Sequence, residues 1–355
     1  MSIKILPKMN LSEWIDHLDD RYRLFGPTPI KDVHVFAEVH SAGDFDLDYT
    51  TTLLPPKKVF LPPREDLIQF DIEKNQVYPV LEDQPSVILG VHTCDMYAIH
   101  MLDQVFSQDF SDQHYLARRQ NTILVTVECL SPCSDESFCK DMGTLSVPEK
   151  FDLHLIDIGD AYVMDIGSEK GATLLHDFDP IRDPTQVELK QLNQVMSNKW
   201  SRFPYRLDAD LTELKSLLKI SYKSTLWNEM AELCLGCGMC TLVCPTCYCF
   251  DIQDEMDLLL EHGTRYRVWD SCQLNQFAEV AGGHDFRPSR ENRQRHRFLR
   301  KYSYQTSSNG LLGCVGCGRC ALTCPVNIAP VETLNKLYHR RVAYGKKVKQ
   351  EVLIG

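Results

Sequence analysis

Cysteine is the reactive residue that dominates this chain. Fifteen cysteines occur in 355 residues, and eight of them stand in two runs of one pattern. Residues 234–245 read CLGCGMCTLVCP, and residues 314–325 read CVGCGRCALTCP. Each run is C-x2-C-x2-C-x3-C-P, the ligand spacing of a two-cluster bacterial ferredoxin. A cubane iron–sulfur cluster takes four soft thiolates, one at each corner iron. Cysteines at every third position of a tight loop reach three adjacent corners. The interleaved Gly236, Gly238, Gly316 and Gly318 let the backbone bend closely around them. The fourth cysteine is expected to start a helix and to ligate the other cluster. Two [4Fe–4S] clusters are therefore expected. Cys234, Cys237, Cys240 and Cys324 would hold one, and Cys314, Cys317, Cys320 and Cys244 the second. Structural zinc uses paired C-x2-C knuckles, often with histidine, and fits this spacing poorly.

Seven cysteines remain. Cys247 and Cys249 follow the first run, and Cys272 sits in WDSC. Cys94, Cys129, Cys133 and Cys139 lie far upstream. Free cysteine is commonly a small buried hydrophobe, which is the plain reading. The sharper reading is a third cluster, from Cys94, Cys129, Cys133 and Cys139 or from Cys247, Cys249 and Cys272. Cys94 and Cys129 follow strand-like segments and could meet at one end of a sheet.

The elements that must carry these residues fall into three parts. Residues 1–184 read as an α/β domain, residues 185–224 as a helical linker, and residues 225–355 as a ferredoxin-like dicluster domain with an insertion at 250–310. In the first part, Asn10 is a candidate helix cap with Glu13 three residues on. Trp14, Leu18, Tyr22 and Phe25 follow at helical spacing. Strands are expected at Val33–Val39, Ser86–Val91 and Thr122–Val127, with a helix at Met96–Phe106. Phe151–Ile158 and Ala161–Ile166 flank Gly159-Asp160 as a hairpin. Helical patterns run over Leu189–Trp200, Thr212–Ile220, the arginine-rich Pro288–Tyr302 and the basic segment 331–350. His284 in AGGHDF reads as a hydrogen-bonded structural residue, or as one that touches a cluster or partner.

Composition narrows the class. Hydrophobic content is 43% and charged content 25%, as in an ordinary globular protein. The formal net charge of −11 weighs against general nucleic-acid binding. The arginines at 287, 290, 293, 295, 297 and 300 then read as a docking surface for an acidic partner or as a salt-bridged helix. No apolar stretch is long enough to span a membrane. No secretory signal is visible, so the expected setting is cytoplasmic, where many cysteines mean metal or redox chemistry. No G-x-G-x-x-G follows a strand, and no P-loop or H-E-x-x-H is present.

Several further segments carry a family resemblance. They are PPKK (55–58), GVHTCD (90–95), FCKDMGT (138–144), CPTCYCF (244–250), WDSC (269–272) and AGGHDFRP (281–288). Together they resemble the iron–sulfur β subunit of cytosolic sulfhydrogenases, a family close to the iron–sulfur subunit of anaerobic sulfite reductase. The resemblance runs from about residue 50 to 330, and WDSC is nearer the hydrogenase branch. It implies two [4Fe–4S] clusters and no catalytic residues of the chain's own. It also implies an electron relay between the catalytic subunit of a hydrogenase or sulfur reductase and a flavin- and NAD(P)H-binding subunit. The neighbouring readings are the corresponding iron–sulfur subunit of an anaerobic sulfite reductase complex, and an electron-input subunit for a heterodisulfide reductase. A reading of another class is a cluster-stabilised nucleic-acid-binding or regulatory protein. One position departs from the family pattern. Relatives often carry a cysteine just before the F-C of FCKDMGT, where this chain has Ser137, so the ligand set of that segment is altered.

Overall fold

The computed structural model describes the backbone of residues 2–354, and their side chains except those of 2, 309 and 344–354. Eleven strands organise two sheets. They are β1 (Ser2–Pro7), β2 (Arg23–Ile30), β3 (Val33–Val39), β4 (Arg64–Asp71), β5 (Gln76–Pro79), β6 (Ser86–His92), β7 (Thr122–Val127), β8 (Leu153–Asp157), β9 (Ala161–Ile166), β10 (Phe250–Met256) and β11 (His262–Trp269). A third, two-stranded sheet is a short ladder between Glu279–Val280 and His284–Asp285.

The first sheet has the order β1-β9-β8-β7-β6-β2-β3. Strands β2, β6, β7 and β8 run parallel, and antiparallel strands close both edges. The central pair reads SVILGVH and TILVTV, continuous apolar runs buried along their whole length. That is the pattern of strands covered on both faces. Val87, Leu89, Val125, Leu153 and Leu155 pack with Trp14 and Leu18 on one face. Ile88 and Leu124 pack with Met96, Ile99 and Leu102 on the other. A bulge between Leu89 and Val91 turns Val91 onto this second face, and Gly90 takes the left-handed backbone that the bulge requires (φ 77°).

The N-terminal helix differs from expectation in two ways. It ends at Asp19, so Tyr22 lies beyond it and Phe25 falls in β2. The Asn10 side chain caps no backbone N–H and donates to Glu13 Oε2 instead (3.0 Å). The expected strands at 33–39 and 122–127 match in full, and the hairpin closes through β8 and β9. The helix after β6 is longer than expected, Thr93–Ser107.

The second sheet, β10-β11-β4-β5, is antiparallel and draws on distant parts of the chain. Strands β10 and β11 lie between the two cysteine runs, yet β11 pairs with β4 from Arg64 onward. Arg267 of β11 ion-pairs with Glu65 and Asp112, and Arg118 reaches the same Glu65.

Two helices lie between the sheets and the cysteine-rich part, Gln186–Arg202 and Leu214–Ile220. The first starts in a full capping box of Thr185 and Glu188. Near its end Lys199 is buried and donates to Glu128 Oε1 (2.6 Å) and to the Leu145 carbonyl (2.7 Å). Another core joins Leu217, Leu218, Trp227, Met230, Phe298, Tyr302, Leu334 and Leu337. It holds the helices Leu226–Leu233, Arg290–Leu299 and Pro330–Ile354 together.

Burial alone would raise the Glu128 carboxyl, but His154 and Lys199 outweigh it and hold its pKa below the ordinary value. A carboxylate lowered in the folded state contributes stability above its unfolded pKa, and loses it as pH falls through the folded one. Lys199→Met removes the closer of these two partners of Glu128, leaving His154 at 3.4 Å, and should cost about 3 kcal/mol. The deficit against the unsubstituted chain, read from denaturant midpoints, should be largest at neutral pH and shrink in acid.

Candidate metal centres

The two cysteine runs fold into matching loops. Gly236, Gly238, Gly316 and Gly318 all have φ between 68° and 79°, which frees the backbone to wrap a cluster. A single short turn of helix follows in each, Met239–Leu242 and Arg319–Leu322. The helix expected after each fourth cysteine is not there. Cys244 leads into β10, and the helix beyond Cys324 begins only at Pro330.

Cys234, Cys237, Cys240 and Cys324 line one cavity, together with Gln273, Gln294 and Ile328. Sulfur there receives N–H donors. Gln294 Nε2 lies 3.0 Å and Gly236 N 3.4 Å from Cys234 Sγ, and Ile328 N lies 3.3 Å from Cys324 Sγ. The charge of Cys244 bears on each of Cys314, Cys317 and Cys320, and on Cys240 of the first set as well. Burial pushes the Cys240 thiol up to about 11 and the Cys317 thiol up to about 12. Such thiols ionise only when a cation takes the charge, which is the condition of a ligand awaiting metal. Among the described residues, no three Cys, His, Asp or Glu side chains converge closely enough to hold a single ion. The first thiol set, which lines a cavity rather than a point, suits a cluster bound at its corner irons.

The two loops sit in different surroundings. At equivalent positions Leu235 is 62% exposed and Val315 5%, while Met239 is 38% exposed and Arg319 2%. Cys237 is exposed. The second loop is pressed onto residues 136–139. A Cβ on Gly316 would meet the Phe138 and Cys139 backbone at 2.6 Å, whereas Gly236 has nothing nearer than 3.7 Å. Arg319 forks onto both oxygens of buried Asp95 (2.6 and 2.7 Å) and donates to the Thr52 carbonyl.

The arginine-rich helix is only partly available as a docking surface: Arg293, Arg297 and Lys301, four residues apart, are buried, while Arg290 is exposed and Arg287, Arg295 and Arg300 are half-buried. Arg293 is held by Asn275 and two backbone carbonyls. Arg290 donates to the Cys234 carbonyl, and Arg300 to Tyr248. Burial disfavours the Arg297 charge, yet the thiols of Cys240, Cys320 and Cys244 hold its pKa above the ordinary value. The same opposition, with Cys244, Cys247 and Cys314, raises Lys301. Lys57 is a third buried cation. It donates to the carbonyls of Cys244 (2.8 Å) and Cys247 (2.5 Å) and lies over Trp269, and burial lowers it to about 8.

The remaining cysteines form two groups. Cys247 pairs with Cys244, and Cys249 with Cys272, thiol to thiol. Cys94, Cys129, Cys133 and Cys139 do meet at one end of the first sheet. Ser137 is turned away to donate to the Ser134 carbonyl (2.7 Å). The WDSC segment buttresses the first loop, where Thr241 donates to Ser271 Oγ (2.6 Å). His284 is exposed, edge-on to Phe286. Sequence reasoning missed Asp95, Arg319 and Lys57, and it read Arg297 as part of a docking surface or a salt-bridged helix. Arg319 had one visible signal, since it is the charged residue at the place where the first run has Met239.

A 4Fe-4S dicluster domain model matches residues 233–328. The chain is 36% identical over 330 residues to sulfhydrogenase 2 subunit beta of Pyrococcus furiosus, covering 92% of this chain and 95% of that one. The chain belongs to the sulfhydrogenase β-subunit family. No solved structure matches it. A mixed α/β part followed by a C-terminal 4Fe-4S dicluster domain is thus its architecture. Among the described residues of this β-subunit homologue, no helix is long and apolar enough to cross a membrane.

Arg297 faces thiols of both sets, so its charge should favour the reduced, more negative state of whatever they hold. Arg297→Met should lower both midpoint potentials by roughly 50–100 mV, as about 1–2 kcal/mol gives in a one-electron couple. Lys301→Met should act chiefly on the Cys314 set. EPR-monitored redox titration checks both, and a shift to higher potential would contradict the assignment.

Proposed function

We propose that this chain is the electron-transfer component of a cytoplasmic hydrogenase or sulfur reductase complex. It would relay electrons between two partner subunits, one binding flavin and NAD(P)H and the other catalytic. Two [4Fe–4S] clusters are assigned, with the fourth cysteines exchanged: Cys234, Cys237, Cys240 and Cys324, and Cys314, Cys317, Cys320 and Cys244. The clusters, when bound, supply one-electron storage. The protein supplies their placement, the N–H donors on sulfur and the buried cations.

The observation that carries the relay reading is the unequal exposure of the two loops. Cys237 sits at the surface, and exposed Leu233, Leu235, Met239, Leu274 and Leu322 lie on the elements around it. Apolar side chains beside a surface thiol suit a partner that must come close for electron transfer and still dissociate or seat precisely. The second loop is covered by the chain itself. Fifteen free cysteines suit a reducing compartment.

In the assembled complex, Leu235→Asp should slow electron delivery across that contact at least tenfold, with iron content and cluster spectra unchanged. Unaltered transfer would remove this face from the relay. The exchanged ligation is tested separately. Cys244→Ser should perturb the signal of the cluster held by Cys314, Cys317 and Cys320. Loss of the other signal instead would overturn the assignment.

A further inference from the structure

A long irregular segment, 128–152, crosses the end of the first sheet without a strand or helix of its own. Loops of this length inside a compact fold are uncommon unless they carry function. This one is anchored at every turn. Phe138 N donates to the Gly316 carbonyl (2.7 Å), and Thr144 Oγ1 to the Val315 carbonyl (2.6 Å). Lys140 Nζ donates to the Trp200 and Phe203 carbonyls, and Asp141 accepts from the Arg206 and Leu207 N–H groups.

What the anchoring positions is a set of thiols. β6 and β7 are parallel neighbours, so both end at the same edge of the sheet. That edge delivers Cys94, two residues past His92, and Cys129, two residues past Val127. The irregular segment brings Cys133 and Cys139 back over it. Cys94, Cys139 and Cys129 share one packed cluster with Val315 and Cys317 of the second ferredoxin loop. Cys129 Sγ lies 3.9 Å from Thr93 Oγ1, and Cys133 Sγ 3.7 Å from His92 Nδ1. The crevice outside the carboxyl ends of parallel strands is where such sheets place their ligands.

We propose that Cys94, Cys129, Cys133 and Cys139 hold a third [4Fe–4S] cluster, in line with the one at Cys314, Cys317 and Cys320. Four thiolates on a buried, well-anchored framework are the donor set that a cubane takes. A zinc ion is the competing occupant. These thiols do not converge on a point, and neither do the eight motif thiols. The group also extends the relay reading, on which this part rests. The second loop is covered on the side of Val315 and Arg319, and a third cluster beside Cys317 gives it an outlet there. A cavity of about 110 Å³ reaches Cys129, Cys133 and His92 from the side of Asp157 and Tyr162.

The test is iron and acid-labile sulfide in the full-length chain after anaerobic reconstitution. Three cubanes give about twelve of each per chain, and two give about eight. The Cys94→Ser/Cys129→Ser variant should fall from about twelve to about eight and keep the EPR signals of the other two clusters. A Cys249→Ser/Cys272→Ser variant should stay at about twelve. The proposal is overturned by eight irons in the unsubstituted chain, by one bound zinc in place of the missing iron, or by loss of four irons from the second variant only. Should the first variant lose EPR signals of the motif clusters as well, Cys139→Ser alone decides, by the same count. These counts do not depend on electron transfer to any partner. Twelve irons with no transfer in the assembled complex would end the relay reading and leave the site.

Discussion

The fold turns on one buried ion pair. Arg319 lies inside the second cysteine loop, and Asp95 opens the helix that follows β6; neither is more than 2% exposed. Two charges taken out of water are costly unless their geometry is good and their remaining hydrogen bonds are made. Here the guanidinium is bidentate to the carboxylate, and Thr52 takes further N–H groups. The pair therefore works as a registration device. It sets where the ferredoxin loop meets the end of the sheet, and the neighbours of both residues are cysteines. Cys94 precedes Asp95, and Cys317 and Cys320 flank Arg319. Any shift of one partner moves thiols on both sides of the contact.

A second constraint is electrostatic. A cubane held by four thiolates carries net negative charge, and two close together need compensation in a low-dielectric interior. For the two proposed cubanes Arg297, Lys301 and Lys57 would supply it, and all three are buried. Arg297 and Lys301 sit on the face that the helix turns toward the thiols, while Arg295 is tied to Glu291 and Asn292, Arg300 to Tyr248, and Arg290 to the Cys234 carbonyl.

How far the sequence could be read follows from where each signal is stored. The two cysteine runs were legible because each is local, within eleven residues of chain. β6 and β7 were legible because strands buried on both faces are uniformly apolar. β2 was not. It contains Gly26, Pro27 and Pro29, which argue against a strand. The structure tolerates them because only Arg23–Phe25 pair with β6, and from Gly26 onward β3 is the sole partner in the sheet. β4 and β11 are charged and partly exposed, and their pairing joins residues about two hundred positions apart. No local pattern encodes that. The burial of Arg293, Arg297 and Lys301 was hidden for a like reason, since a run of cations reads as surface until the thiolates it faces are known.

The two loops show how one motif serves two purposes. Their ligands and glycines match, so each can wrap a cluster in the same way. What differs is the residue between ligands. Leu235 and Met239 leave the first loop at the surface, where a partner can reach Cys237. Val315 and Arg319 commit the second loop to the interior, and glycine at 316 and 318 lets residues 136–139 close on it at backbone distance. A chain with two outward loops would offer two equivalent entry points and no direction. In the proposed relay, burying one of them orders the path, from the exposed loop through the covered one to the end of the sheet. That order comes from side chains that ligate nothing, and a motif search that stops at the cysteines does not see it.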